Sequence, residues 1–367
     1  MKTLVIDENV SDTACQELIE DFYNPECELP KYIMGRSADG YAECLAKVAE
    51  VDGFIDDFTD EDYFLGKPIV RSDEIGKDSL VVVCSTVRPL TAIRRLSECG
   101  IERVTDYTSF YIHAKDSRLQ LRIIDTFKQA FYANRQQFEY IFSLLNDRES
   151  KQTFSDLVNY RLSGNRKYME GYTFAPTRQY FDACMMYSVA EVFVDAGGFD
   201  GQTTKEFIRH CPNFKRVYFF EPEEENMRMA RANLKDFDNI VYLSKGMSNA
   251  KGKVSFEAAA GSASSISPSG TVEIEVDTLD HLVDEAVTFI KMDIEGAEAL
   301  AVEGCREHIA KDHPKLAIAA YHKVNDFWEL PQQILSIRSD YDIYLRHYTE
   351  GTDETIMYFV PISDRVA

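Results

Sequence analysis

The stretch EVFVDAGGFDGQTTKEF, residues 191–207, decides the fold of this chain. An apolar run ends at Asp195, two glycines follow at 197 and 198, and Thr203–Thr204 opens a helix. A strand that passes through glycines into a helix is the start of a parallel α/β unit. Gly197 and Gly198 allow a left-handed backbone and a close approach to whatever sits at the strand's carboxyl end.

Charge selects the kind of ligand. The full GxGxxG fingerprint of dinucleotide sites is absent, and the loop carries Asp195 and Asp200. A pyrophosphate at this helix start would face two carboxylates, which is electrostatically poor. S-adenosylmethionine has no phosphate and carries an ammonium and a sulfonium, so Asp195 can pair with the ammonium while loop N–H groups take its carboxylate. Twenty-six residues on, VYFFE ends at Glu221, an acidic tip placed to accept from both ribose hydroxyls. The next strand tip, Ser244–Ser248, would face the adenine, with Ser248 at the ring edge and Met247 on its face.

Outward from this loop, apolar runs predict strands at Val192–Asp195, Val217–Glu221, Ile240–Leu243, Phe289–Asp293, Leu316–Tyr321, Ile343–Arg346 and Ile356–Val360. Helices fit between the first five, as at Thr203–His210 and Glu224–Leu234. The connection His347–Glu354 is too short for a crossover, so the last two strands form an antiparallel hairpin. A parallel sheet ending in such a hairpin is the Rossmann-like architecture of class I methyltransferases. Residues 166–367 form this α/β domain. Residues 1–115 read as a smaller Rossmann-like α/β domain, with strands at Thr3–Ile6, Gly53–Ile55, Ile69–Val70, Leu80–Cys84 and Arg103–Thr105 and helices at Tyr41–Glu50 and Leu90–Cys99. Residues 116–165 form a helical connector, one long helix and a shorter one. Its spacing is no clean heptad, so packing onto the domains is expected over a coiled-coil arm.

Composition narrows the partners. With 45% hydrophobic and 12% aromatic residues, 367 residues supply two cores. A net charge of -22 repels nucleic acid and anionic lipid. No apolar run reaches the length of a membrane span, and the N-terminus has no signal-peptide pattern. Eight cysteines contain no CxxC pair, which fits reduced thiols in a cytoplasmic protein.

At TFIKMDIEGAEALAVEGC, residues 288–305, the sequence resembles the FkbM family of S-adenosylmethionine-dependent methyltransferases, marked by a strand followed by Asp-x-Glu-Gly-x-Glu. VDAGGFDG (194–201), FFEP (219–222), VDTLD (276–280) and PKLAIAAYHK (314–323) extend the match over about 180–360. The resemblance implies methylation of a hydroxyl, on a sugar or a polyketide-type small molecule.

Methyl transfer needs positioning and a way to remove the hydroxyl proton. Asp293 ends the fourth strand, so Asp293 or Glu295 can orient the acceptor or take its proton. His322 closes the fifth strand and reaches the same edge, with a pKa suited to proton work. Glu298 reads as compensation of a helix dipole, and Lys291 as a neutralising partner of Asp293. Asp293, Glu295 and His322 could alternatively hold a divalent metal, but no further carboxylate ligand is evident, and no metal is assigned. Tyr172, Phe174, Tyr180 and Phe181 form an aromatic segment that either caps the cofactor pocket or packs in the core. The Ser-rich Gly261–Gly270 is a candidate lid or a plain hairpin connection between Lys253–Glu257 and Thr271–Val276.

The N-terminal domain is similar, over 51–70 and 81–86, to small nucleotide-binding-like domains of bacterial sugar-modifying enzymes. Its first strand is followed by DENVSD, without a glycine-rich turn, which predicts a non-binding domain that docks an acceptor or mediates dimerisation. The expected activity is methyl transfer to a saccharide or glycoconjugate hydroxyl. The alternatives are an NAD-linked oxidoreductase and a lapsed cofactor-binding module.

Overall fold

The computed structural model describes residues 3–7, 12–36, 40–121, 124–188, 190–257, 265–266 and 272–362. In the N-terminal part, helix α1 (Thr13–Tyr23) leads into strand β1 (Lys31–Met34), helix α2 (Tyr41–Val48), and strands β2 (Gly53–Ile55), β3 (Tyr63–Phe64), β4 (Lys67–Val70) and β5 (Leu80–Val83). Helix α3 (Pro89–Glu98), β6 (Val104–Asp106) and α4 (Tyr107–Ala114) follow. These strands make one sheet in the order β3-β4-β2-β1-β5-β6, parallel except for the β3–β4 pair.

Two sequence expectations fail here. Thr3–Ile6 is not a strand: Val5 O accepts from Asn159 Nδ2 and Asp7 N donates to Asn159 Oδ1 (2.9 and 2.8 Å), which ties this segment to a distant helix. The central strand is instead β1, whose four residues lie between Pro30 and Gly35 and are too few to show a period. A glycine does follow it. Gly35 has φ +90, and a Cβ there would stand 3.3 Å from Ser85 N.

The connector is three helices rather than a long and a short one: α5 (Ile124–Ala133), α6 (Arg135–Leu144) and α7 (Arg148–Ser163). Asp147 caps α7 by accepting from Ser150 N, and Gly164 ends it at φ +67. Helix α7 packs on the strand Tyr341–His347 of the second sheet, α6 on the helix Asp326–Ile337, and α5 on both α6 and α7. Phe127, Phe131, Phe138, Phe142 and Phe154 share a core with Phe327, Trp328, Ile343 and Leu345. Each such ring, taken from water, contributes about 1.5–3 kcal/mol.

The C-terminal part runs β7 (Val192–Ala196), α8 (Gln202–His210), β8 (Arg216–Phe220), α9 (Glu224–Asn233), β9 (Ile240–Leu243), β10 (Gly246–Met247), β11 (Gly252–Glu257), β12 (Ser265–Ile266) and β13 (Val272–Asp277). It continues with α10 (Leu279–Leu282), β14 (Phe289–Met292), α11 (Glu298–Glu303), α12 (Arg306–Asp312), β15 (Lys315–Ala319), α13 (Asp326–Ile337), β16 (Tyr341–His347) and β17 (Thr355–Pro361). Seven strands form a sheet in the order β16-β17-β15-β14-β7-β8-β9, parallel but for the terminal β16–β17 hairpin, which also pairs antiparallel to β15. Along β7, Val192 and Val194 enter the core beneath the connector, while Phe193 packs with Phe207 and Phe289 on the other face. A small separate sheet, β10-β13-β11-β12, stands beside it. The Ser-rich Gly261–Gly270 lies outside the described residues except for Ser265–Ile266, whose strand pairs with β11.

The turn of the β16–β17 hairpin joins the two sheets. Glu350, 1% exposed, accepts from Thr91 N and Thr91 Oγ1 (both 2.6 Å) at the start of α3, and pairs with Arg94 at 2.9 Å. Glu350 N donates to Val87 O (3.0 Å), and a Cβ on Gly351 would lie 1.9 Å from Thr86 O. From the other side, the buried Arg161 of α7 stacks over Phe127 and Phe327 and donates to Thr352 O (3.0 Å).

His347, at the end of β16, bonds Thr355 Oγ1 through Nδ1 (2.9 Å). Burial and the nearby Arg161 push its imidazole down to about 3. An unfolded histidine titrates near about 6.5, so between these values the unfolded chain holds the extra proton. This stabilisation is complete above the unfolded value and is lost as pH falls, by about 1.4 kcal/mol per pH unit. Replacing His347 by Gln should flatten the dependence of the urea midpoint between pH 7 and pH 5 by about 2 kcal/mol. Equal slopes in the two proteins would refute it.

Candidate functional site

The loop after β7 is shaped by contacts that only glycine permits. Gly197 has φ +75, and a Cβ there would fall 1.8 Å from Asp293 O. At Gly198 a Cβ would meet the Phe219 ring at 2.2 Å. Both loop N–H groups donate to Phe220 O (3.1 and 3.0 Å), so the loop lies across the end of β8.

Beside it, at the carboxyl edge of β7, β8 and β14, a cavity of about 250 Å³ opens. Its wall includes Gly197, Phe199, Glu221, Met247, Asp293 and Glu295. Glu221, 6% exposed at the tip of β8, accepts from Phe199 N and Glu223 N (3.0 and 2.9 Å). Each carboxylate oxygen keeps a lone pair for a further donor. Burial raises the Glu221 pKa.

The far end of the cavity is acidic. Asp293 is held by the Tyr180 hydroxyl, and Tyr321 Oη lies 3.3 Å from the same Oδ2. Glu295 sits in the turn after β14 with φ 55, followed by Gly296 at φ +91, and burial raises its pKa. Glu354, from the β16–β17 turn, bonds Gln179. Burial, with the charges of Asp293 and Asp353, pushes Glu354 up to about 8. His322 lies behind this group, with Nε2 3.4 Å from Asp293 Oδ1 and 3.5 Å from Glu295 Oε2, and Nδ1 3.0 Å from Glu298 Oε1. Burial alone would lower the imidazole, but Glu298, Glu295 and Asp293 hold it well above its ordinary value. Asp293, Glu295 and His322 each offer one ligand atom within 4.8 Å of the others.

Backbone strain gathers at this cavity. Eight non-glycine residues among those described have positive φ, and four of them, Tyr180, Phe199, Glu295 and Glu354, line it. Such conformations cost about 1–3 kcal/mol each and persist where the surroundings enforce them.

The sequence-predicted residues divide accordingly. Gly197, Glu221, Asp293 and Glu295 line the cavity, and His322 touches the last two. Asp195 does not line it. It is fully buried, accepts from Thr204 Oγ1 (2.7 Å) and pairs with Lys291 Nζ at 3.1 Å. Lys291 is thus the partner of Asp195, not of Asp293, because its ammonium turns toward β7 and also donates to Gly197 O (2.7 Å). Gly198 lies against the Phe219 ring, Asp200 accepts from Gln202 N (3.1 Å) at the start of α8, and the buried Ser248 donates through its N–H to Asp277 O (2.9 Å) and through its hydroxyl to Asn249 Oδ1 (3.5 Å). Glu298 accepts from Ile294 N (3.0 Å), as a carboxylate at a helix start does, and also holds His322. Of the aromatic segment, Tyr180 reaches the cavity, while Phe181 packs in the core and Phe174 lies under Arg88. Gln179, Tyr321 and Glu354 were not foreseen. Tyr321 directly precedes His322 at the end of β15, a position from which it could have been inferred.

Residues 195–348 match the family model of the methyltransferase FkbM domain. The crystal structure of a methyltransferase FkbM from Methylobacillus flagellatus KT superposes with a TM-score of 0.73 at 26% identity, covering 96% of this chain and 94% of that one. The likeness therefore includes the N-terminal sheet as well as the matched domain. An rRNA methylase from Streptococcus thermophilus is similar at a TM-score of 0.33 and 15% identity, over 48% of this chain and 89% of that one. Among curated proteins none matches. The fold is a class I methyltransferase Rossmann-like sheet with a second α/β sheet before it, and no helix among the described residues is long and apolar enough to cross a membrane.

The contact at Gly197 gives a stability test. Gly197→Ala should lose more than about 2 kcal/mol in urea unfolding, since it combines positive φ with backbone overlap. Gly171→Ala, where an added Cβ meets nothing within 4 Å, should stay within about 0.5 kcal/mol. Equal losses at both positions would contradict the role given to the loop.

Proposed function

We propose that this chain, which carries an FkbM methyltransferase domain over residues 195–348, transfers a methyl group from S-adenosylmethionine to a hydroxyl of a saccharide, a glycoconjugate or a related small molecule. One observation carries the reading. The same cavity joins an acidic strand tip suited to a ribose, Glu221, to a carboxylate pair suited to a hydroxyl, Asp293 and Glu295.

The residues present fit the cofactor. Glu221 offers lone pairs to the ribose hydroxyls, and the start of α8 beside Gly197 presents N–H groups and a positive helix end to a carboxylate. Met247 lines the wall where an adenine face would pack. Asp195, buried beneath the loop, acts through Lys291 on the loop's carbonyls and not by direct contact. When bound, the cofactor supplies a methyl group on a sulfonium, whose thioether is a good leaving group.

The chain's own task is the acceptor. Asp293, fixed by Tyr180 and Tyr321, orients the hydroxyl, and Glu295 receives its proton as the oxygen attacks. Burial raises the Glu295 pKa, which brings its basicity closer to that task. His322 stands behind both carboxylates and offsets their charge. Gln179 and Glu354 add hydrogen-bonding groups at the acceptor end, in keeping with a polyhydroxylated partner. The net charge of -22 weighs against nucleic acid as the acceptor.

Calorimetric titration with S-adenosylmethionine, S-adenosylhomocysteine and NAD tests the cofactor. Both adenosyl ligands should bind and NAD should not, and Glu221→Ala should weaken them about 10–100-fold through loss of charge-assisted hydrogen bonds. Firm NAD binding without adenosyl binding would instead establish the oxidoreductase alternative.

A further inference from the structure

At the acceptor end of the cavity one side chain is built for a ligand that the protein itself does not provide. His322 is 9% exposed, and its Nε2 is a buried atom without a hydrogen-bond partner. This nitrogen faces Asp293 Oδ1 at 3.4 Å and Glu295 Oε2 at 3.5 Å. Direct hydrogen bonds between such groups are shorter, near about 2.7–2.9 Å. The spacing is that of neighbouring ligand atoms around a common ion. With metal–ligand bonds of about 2.0–2.2 Å, octahedral edges come to about 2.8–3.1 Å and tetrahedral edges to about 3.3–3.6 Å, and the two contacts fall in the second range.

Each of the three groups is fixed from behind. Nδ1 of His322 points at Glu298 Oε1 (3.0 Å), a carboxylate that is 1% exposed and anchored by Ile294 N. Because an ionised carboxylate only accepts, Nδ1 is the donor, and a cation at Nε2 takes the place of the proton that Asp293 and Glu295 otherwise hold on that nitrogen. A carboxylate behind a histidine is the arrangement that orients metal-bound imidazoles. The other oxygen of Asp293 is held by Tyr180, with the Tyr321 hydroxyl between the two oxygens at 3.3 and 3.4 Å, and Oδ1 is the one turned toward His322. Glu295 is placed by the left-handed backbone at 295 and 296.

We propose that Asp293 Oδ1, Glu295 Oε2 and His322 Nε2 bind one divalent transition-metal cation, with Glu298 as the positioning residue of the histidine. One imidazole with two carboxylates suits ions of the Mn2+ class better than Mg2+, which prefers oxygen alone, or than ions that call for thiolate. Three protein ligands leave coordination positions open, and Asp293 and Glu295 also line the cavity. Those positions would be completed by hydroxyl oxygens of the acceptor, an assignment that rests on the methyl-transfer reading. Binding of the cation does not depend on it.

The test is titration of the full chain with Mn2+, following free ion by electron paramagnetic resonance, alongside calorimetry with S-adenosylhomocysteine. The wild type should take up one Mn2+ per chain. Glu295→Gln should bind it at least about tenfold more weakly, and Glu298→Gln about 10–100-fold more weakly. S-adenosylhomocysteine affinity of metal-free Glu298→Gln should remain that of the metal-free wild type, which also reports that the variant is folded. Glu295 is 26% exposed on its side chain, so its variant keeps the fold even if the buried Glu298 proves essential to it. No uptake by the wild type at millimolar Mn2+, or equal affinity in wild type and Glu295→Gln, would overturn the proposal. Mn2+ uptake without any adenosyl binding would sink the cofactor reading and leave the metal site standing.

Discussion

The site depends on one buried ammonium. Lys291, 2% exposed on β14, pairs with Asp195 at 3.1 Å and donates to Gly197 O and Ala196 O at 2.7 and 3.2 Å. A buried charge is tolerable only when paired and hydrogen-bonded, and here the partners are the end of β7 and its loop. Its bonds draw that loop against β14, where the glycine at 197 meets the Asp293 carbonyl with no room for a side chain. The same ammonium lies 5.2 Å from the centre of the Tyr180 ring, whose hydroxyl holds Asp293. One cation thus sets both the glycine loop and the carboxylate at the far end of the cavity.

The acidic end of the cavity poses an electrostatic problem that the fold solves unevenly. Asp293, Glu295, Glu298, Asp326 and Glu354 converge on a small volume, and like charges at such range cannot all persist out of water. Three of them, Glu295, Asp326 and Glu354, keep their protons more tightly. Burial, with repulsion from neighbouring carboxylates, lifts Asp326 to about 7 and Glu354 to about 8. Asp293, Glu295 and Glu298 are arranged around His322, whose imidazole balances part of their charge. This arrangement is expensive as mere structure, since an apolar filling would be at least as stable. It stands beside a cavity and on strained backbone, the combination in which perturbed carboxylates gather at functional sites.

Much of this was legible in the residues. The strand–glycine–helix reading of 191–207, the acidic tip at Glu221 and the Asp-x-Glu-Gly-x-Glu turn each rest on local chemistry, and local chemistry is what a sequence displays. The terminal hairpin followed from the shortness of 347–354. What escaped is of another kind. β1 is four residues long and carries no period, so it was missed, while Thr3–Ile6 was read as a strand that the fold does not form. The connector breaks at Asn134 without a proline or glycine to announce it. The left-handed residues at Tyr180, Phe199, Glu295 and Glu354 carry no glycine either, because tertiary contacts impose their geometry. Whether Lys291 would face Asp195 or Asp293 could not be read from its position, since both lie at the ends of adjacent parallel strands.

Glu354 shows why the two parts of the chain must be considered together. It stands four residues from Glu350, which is clamped to the first turn of α3 in the N-terminal sheet. Between them Gly351 is pressed onto Thr86 and Thr352 is held by Arg161 of the connector. A turn fixed at so many points has little freedom left, and its last residue enters the cavity in a left-handed conformation. The switch point of the N-terminal sheet, where an independent domain of this type would take a nucleotide, is in turn bordered by that carboxylate at α3. An anion at the start of α3 would have to displace Glu350 and, with it, the wall that Glu354 makes. The first sheet therefore holds the acidic end of the second sheet's cavity in shape, and it does so with a helix start that would otherwise be open to an anion.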